Sequence, residues 1–338
     1  MVNLAPMARE ISWSDNIRKE YMVRKMDSLF IAGNGFDIAH GIPSKYSEFR
    51  KYLVRHYPDA LKFRDEKIYI EDFDYLIPDE FAAEILLSTM DKIDGENWEN
   101  FEAALAHIDF SNKFPIPQHK ENETEEEDNA LMRDYLLYID GLSSVFIACT
   151  KWWQVFFQQW IREVQIPIKI ANYNSKNSLK KLFCDDNMLF FSFNYTKTLD
   201  KLYGIKDVTH IHNYVGLKLV FGHGEDNATY EEIGNDFLFG SSFLDDMVMT
   251  FKKNTEFPMI RCKKFFRMLN PNIEKVYSYG FSYGKVDGVY IKRIINSISP
   301  DARWYFTEFE AKDSEALRIK KVKLRNYGFK GTFDIYEG

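Results

Sequence analysis

Leu29-Phe30-Ile31-Ala32 is an apolar run that breaks at Gly33-Asn34-Gly35 and continues as Phe36-Asp37-Ile38-Ala39-His40-Gly41-Ile42-Pro43-Ser44-Lys45-Tyr46. A short apolar run closed by glycine reads as a buried strand, and the residues after it read as a turn and a helix start. A chain that opens this way is directed toward an α/β architecture. Gly33 and Gly35 lack a Cβ, so the turn accepts positive φ and its N–H groups can approach a pyrophosphate, with Asn34, Phe36 and Asp37 in the same turn. Ser44 suits the N-cap of the next helix, and Pro43 fixes the approach to it. The third glycine of a full dinucleotide fingerprint is missing at Phe36-Asp37-Ile38, which leaves an ordinary strand-to-helix turn as the other reading.

Further apolar, β-rich runs at Met188–Phe193, Val208–His212, Lys275–Tyr279 and Arg303–Thr307 join Ser28–Ala32 as expected strands of a parallel sheet. The long stretch between the first two, about residues 55–180, reads as a helical insertion. Within it, Trp98, Phe101, Leu105 and Ile108 have the spacing of an amphipathic helix, and a longer aromatic pattern runs from Leu131 to Val164. Such an aromatic surface needs a core or a partner, and a second copy of the chain is one candidate. Glu121–Asp128, Asn172–Asn177 and Gly222–Gly240 are expected connectors. Residues 1–27 form an expected N-terminal extension, with Met22 and Met26 as alternative starts, and residues 28–338 a single α/β domain.

The net charge of −7 and the lack of a strongly basic segment argue against nucleic acid as the main partner. Backbone amides and helix termini can still hold an anionic dinucleotide. Cys149, Cys184 and Cys262 have neither disulfide-framework nor zinc-ribbon spacing. No apolar stretch reaches membrane-spanning length, so the expectation is a cytoplasmic protein without a membrane partner.

In parallel α/β sheets ligands collect at the carboxyl ends of strands. Asn194 follows the second run and can hold a ribose hydroxyl or water, or simply cap the helix near Lys197. His210 and His212 alternate onto one side of their strand. As a metal pair they lack a third ligand, and no metal is expected. His223, between Gly222 and Gly224, is either a ligand-facing group or a turn histidine. Gly280 and Ser282 follow the fourth run, with Asp287 beyond. Gly280-Phe281-Ser282-Tyr283-Gly284 also spells a nucleophile elbow, but no Asp and His follow in the order such hydrolases need. Glu102 shares the apolar face of Trp98, as a ligand-facing acid or a salt-bridged strut. Magnesium-dependent phosphoryl chemistry at Asp37, Asp226 and Asp287 is a further reading, weakened by their scatter.

The stretch Asn34-Gly35-Phe36-Asp37 through Phe49, together with Trp98-Glu99-Asn100-Phe101-Glu102, resembles the AbiH family of bacterial abortive-infection proteins. Gly33-Asn34-Gly35 and Gly41-Ile42-Pro43 also resemble the glycine turn of the sirtuin-type NAD-binding fold. The AbiH resemblance extends from about Ser28 to Arg303 through motifs in the expected order. It implies a Rossmann-like parallel sheet of sirtuin-like type with a large helical insertion, NAD as ligand or substrate, and a phage-derived trigger. It places Asn194 near ribose or water, His212 as acid–base group, and Gly280, Ser282 and Asp287 on the adenosine side. The function implied is hydrolysis of NAD at the nicotinamide–ribose bond during phage defence. The alternative is a non-catalytic NAD or ADP-ribose sensor, to which the departures Thr196 (an acid in the pattern) and Asn213 (a glycine in the pattern) lend support. Deacetylation is disfavoured because the four-cysteine zinc module of deacetylating sirtuins is absent.

Overall fold

The structure is a computed structural model that describes residues 26–60, 78–108, 125–166, 177–224 and 249–338. Most of the expected N-terminal extension, Asn172–Lys176 of one connector, Asp226 and the greater part of the Gly222–Gly240 segment lie outside these residues.

The chain runs β1 (Ser28–Ala32), α1 (Asn34–Ala39), α2 (Tyr46–His56), α3 (Asp79–Asp94), α4 (Phe101–Ala104), α5 (Glu125–Glu163), α6 (Asn177–Leu182) and β2 (Met188–Ser192). Then come α7 (Thr198–Tyr203), β3 (Val208–His210), α8 (Glu256–Arg261), α9 (Lys263–Met268), β4 (Lys275–Tyr279) and α10 (Gly288–Ile295). The chain closes with β5 (Arg303–Thr307), α11 (Glu308–Ala311), α12 (Ser314–Asn326) and β6 (Thr332–Tyr336). Among the described residues the strands form one sheet, wholly parallel, in the order β3-β2-β1-β4-β5-β6.

All residues of β1 and β2 are buried, as a parallel strand covered on both faces requires. Alternation sends Leu29 and Ile31 into a core with Phe191, Val276, Ile291, Trp304 and Leu324. Phe30 and Ala32 face the opposite core with Phe36, Phe190, Leu199 and Tyr279. A third core lies in the segment between β1 and β2, where Phe49, Leu86, Trp98, Phe101, Trp153, Phe157 and Trp160 pack together. It reaches the sheet through Tyr195.

Several expected boundaries move. β2 stops at Ser192 and β3 at His210, although Phe193 N–H still donates to Ala32 O (2.9 Å) and Ile211 N–H to Ser192 O (3.1 Å). Trp98 is not in a helix: it has φ 49°, and α4 begins only at Phe101 before a 3-10 turn at Leu105–His107. Trp98, Phe101, Leu105 and Ile108 nevertheless enter one core, so the apolar spacing marks burial rather than a continuous helix. Trp98 Nε1–H donates to Asp91 Oδ1 (2.8 Å), and Arg50 binds the same carboxylate at 2.7 Å through two nitrogens. The acidic run is no connector from Glu125 onward, because α5 starts there; carboxylates suit the positive end of a helix dipole. Likewise α6 takes in Asn177. The strand β6 has no counterpart among the apolar runs of the sequence.

Candidate functional site

Strand order reverses direction on either side of β1, so the loops after β1 and β4 splay to opposite faces and open a crevice at the carboxyl edge. The crevice is closed at its base by glycines. Gly33 N–H donates to Tyr279 O and Gly35 N–H to Gly280 O, both at 2.9 Å. A Cβ on Gly33 would lie 2.5 Å from Phe281 Cα, and one on Gly35 2.6 Å from Gly280 Cα. Gly280 itself has φ 63°. The missing Cβ atoms therefore let the two turns interlock, and the Gly33 and Gly35 amides are engaged there.

The other residues of the first turn are similarly tied. Asn34 Nδ2–H donates to Ser44 O (3.0 Å), and Asn34 Oδ1 accepts from Ser44 Oγ (2.5 Å). Ser44 thus does not cap α2, whose N-cap is Lys45. Phe36 is fully buried between Phe30, His40, Tyr203 and Tyr279. It does not line the cleft.

Asp37 is 1% exposed and receives Thr196 Oγ1 (2.5 Å), Thr198 Oγ1 (2.6 Å) and the Asn194 side chain. Burial pushes its carboxyl above the ordinary range despite these donors. An acid at 196 would confront Asp37, whereas Thr196 can donate to it. Asn194 is 6% exposed, and its Oδ1 has no hydrogen-bond partner among the described residues. A buried acceptor left open in a cleft wall is an exception that calls for a ligand or water.

Above this base lies a cleft of about 790 Å³, lined by residues that include Tyr46, Glu102, Trp160, Asn194, Tyr195, His212, Ser282, Lys285 and Asp287. One wall comes from the segment between β1 and β2, the other from the sheet's strand ends. His212 Nδ1–H donates to Phe193 O at 3.2 Å. Its Nε2 stands 3.0 Å from Asp287 Oδ1, off the direction of a well-formed hydrogen bond. His210 has a different partner, with Nε2 3.0 Å from Asp200 Oδ2 on α7. The two imidazoles do not act as a pair, because the strand ends at His210 and the chain turns at Asn213, φ 66°. Asn213 occupies the left-handed region that favours glycine and is second best filled by asparagine.

Lys253, which no motif in the sequence singles out, joins the two walls. Its ammonium is wholly buried, 2.9 Å from Glu102 Oε2 and 3.2 Å from Asp287 Oδ1. Glu102 Oε1 also accepts from Tyr46 Oη (2.6 Å) and Tyr195 Oη (2.9 Å), the arrangement of a strut. Burial, then the Glu102 charge, pushes both phenols far above their ordinary range, which keeps them as donors. Burial alone would raise Asp287, but Lys253 and His212 outweigh it and hold the carboxyl well below the usual range. For Lys253 burial opposes the charge, and Asp287 with Glu102 more than restores it. In the sequence Lys253 is simply one of two adjacent lysines.

His223 is buried and does not line the cleft. Its backbone carbonyl accepts from Lys253 N–H (2.9 Å), and its N–H donates to Phe251 O (3.0 Å). Gly224 lines the cleft, where a Cβ would lie 2.6 Å from Val286 Cα. Ser282 is exposed on the cleft wall, and its carbonyl accepts from Lys323 Nζ at 3.1 Å. Among the described residues no group of three His, Cys, Asp or Glu side chains is placed to hold a metal ion, and no helix is long and apolar enough to cross a membrane.

Fold and cleft together define a parallel α/β protein with a charged, tyrosine-rich site at the point where its strand order reverses. Residues 29–308 match the family described as bacteriophage abortive infection AbiH, and the chain belongs to that family. Neither the curated proteins nor the solved structures contain a match to this chain.

Proposed function

We propose that this AbiH protein hydrolyses NAD at the nicotinamide–ribose bond, in a core of sirtuin-like type. The observation that carries the reading is convergence: Asn194 after β2, His212 beyond β3 and Asp287 after β4 all line one cleft at the switch point, with Asn194 Oδ1 buried and open. The cleft volume suits a small-molecule ligand of this class.

In the reaction the C1′–N bond breaks, and its electron pair leaves on the pyridinium nitrogen, so nicotinamide departs neutral. An oxocarbenium-like ribose remains, and water supplies the new C1′–O bond. Asn194 Oδ1 accepts from that water or from a ribose hydroxyl and fixes its position. His212 takes the proton that the water loses, and Asp287 stabilises the imidazolium so formed. The products are ADP-ribose and nicotinamide. The exposed Ser282 and the Lys285 and Lys323 side chains around it offer donors to the pyrophosphate.

The test follows NAD, nicotinamide and ADP-ribose by chromatography, with purified protein and in phage-infected cells carrying wild type or His212→Ala. Nicotinamide release by wild type alone is expected. Intact NAD in infected cells that are nevertheless protected overturns the hydrolase reading. Thermal stabilisation by NAD that stays uncleaved would establish the sensor instead.

A further inference from the structure

Lys253 does not line the cleft and has no exposed side-chain surface, yet it touches two of the acidic groups that do, Glu102 and Asp287. We infer that Lys253 is a positioning residue for the proposed cleavage: its buried ammonium holds Asp287 against His212 and ties the Glu102 wall to the strand-end wall. The inference rests on the hydrolase reading and adds a residue outside the reach of substrate.

The geometry supports this on both sides of the ammonium. Asp287 Oδ1 is shared, 3.2 Å from Lys253 Nζ and 3.0 Å from His212 Nε2, so one carboxylate oxygen faces both the ammonium and the imidazole that takes up the proton in the proposed reaction. Without Lys253, Asp287 would lose its buried ammonium and keep the His212 ring as a close neighbour, and Glu102 would keep its two tyrosine hydroxyls. A carboxylate in such surroundings tends to take up a proton or to swing toward water. Either change frees the His212 ring from the group that orients it. Lys253 is itself placed by backbone, through its N–H bond to His223 O, opposite the His223 N–H bond to Phe251 O. The Gly222-His223-Gly224 stretch thereby anchors the lysine. A Cβ on Gly222 would collide with Phe251 O, so glycine lets the two segments clasp.

Lys253 and His212 contact Asp287, Glu102 lies across the ammonium, and Tyr46, Tyr195, Tyr290 and Tyr327 are near enough for the Asp287 charge to help keep their hydroxyls neutral. Lys253 is thus the group whose removal most changes the field at Asp287, since its attraction is the largest opposing burial there. Loss of the cation raises the pH at which Asp287 protonates, so the acid limb of activity moves to higher pH.

The experiment compares wild type, Lys253→Met and Lys253→Arg by two readouts: NAD cleavage across pH, and the Asp287 carboxyl titration by carbon NMR in ligand-free protein. Expected for Lys253→Met are a fall in kcat of about 10²-fold with KM changed less than about three-fold, an acid limb at higher pH, and a higher Asp287 midpoint. Lys253→Arg should recover most of kcat. Unchanged kcat or an unchanged Asp287 midpoint in folded Lys253→Met overturns the inference. Where wild type leaves NAD intact, the hydrolase reading fails, and the NMR midpoint alone decides whether Lys253 controls Asp287. Should Lys253→Met not fold, Lys253→Met/Glu102→Gln, which leaves one fewer unpaired carboxylate, is read by the same two criteria.

Discussion

Gly35 and Gly280 meet backbone to backbone across the switch point of the sheet: Gly35 N–H donates to Gly280 O at 2.9 Å, and a Cβ on Gly35 would lie 2.6 Å from Gly280 Cα. The loops after β1 and β4 are thereby welded at the floor of the cleft, and the residues above them inherit fixed positions.

Gly35→Ala should consequently destabilise the fold by about 3 kcal/mol or more, since neither backbone can yield without moving a central strand end. Gly41 is the control. It has φ 74° but open space around it, so Gly41→Ala should cost only about 1–2 kcal/mol, the strain of a left-handed residue. Denaturant midpoints of the two variants check the order; equal losses would mean that the contact is not what demands glycine at position 35.

Asn213→Gly should leave stability within about 0.5 kcal/mol, because glycine accepts φ 66° and the Asn213 Nδ2 bond to Lys218 O lies at the surface. Asn213→Val should cost about 2 kcal/mol or more, as a β-branched residue is poorly tolerated there. Activity should follow stability and not the presence of the amide. A loss of function in a stable Asn213→Gly protein would show that the amide itself is needed.

The stability profile with pH should have two edges set by the buried network. Asp287 is depressed in the folded state, so its contribution is complete above the unfolded carboxylate value of about 3.9 and is lost as pH falls below it. Lys253 is raised, so its contribution is complete below the unfolded value of about 10.5 and is lost as pH climbs above it. Urea midpoints should stay level between these edges as far as this network governs them, and Lys253→Met should shrink both edges. An alkaline edge equally steep in Lys253→Met would assign it to other groups.

Strands β1 and β2 were legible because they are buried throughout and read as nearly continuous apolar runs. β6 escaped for the opposite reason: at the sheet edge its Thr332, Asp334 and Ile335 are exposed, and little apolar pattern remains. Glycines were legible as points of close approach but not as to what approaches. Gly33, Gly35 and Gly280 meet one another, Gly222 meets Phe251 and Gly224 meets Val286, partners that no local pattern names. Asn194, His212 and Asp287 could be found because each follows a strand that the pattern marks. Lys253 could not, because its partners lie 151 and 34 residues away and burial of an ammonium leaves no local trace.

Asn194 and His212 line one cleft but should fail differently when removed. His212 is held by the Phe193 carbonyl and Asp287, so His212→Ala takes away a proton acceptor and leaves the Asp37 knot in place. Under the proposed reaction kcat should fall about 10²–10⁴-fold, while thermal stabilisation by NAD persists. Asn194 serves twice, through a bond to Asp37 and through an open Oδ1 in the cleft wall. Asn194→Ala should therefore lose about 1 kcal/mol or more of stability through the weakened knot, and the NAD-induced stabilisation should shrink as well. Calorimetric melting of both variants with and without NAD separates the two roles. If Asn194→Ala keeps the full NAD-induced shift, the open oxygen does not face the ligand, and water positioning must be assigned to another residue of the cleft.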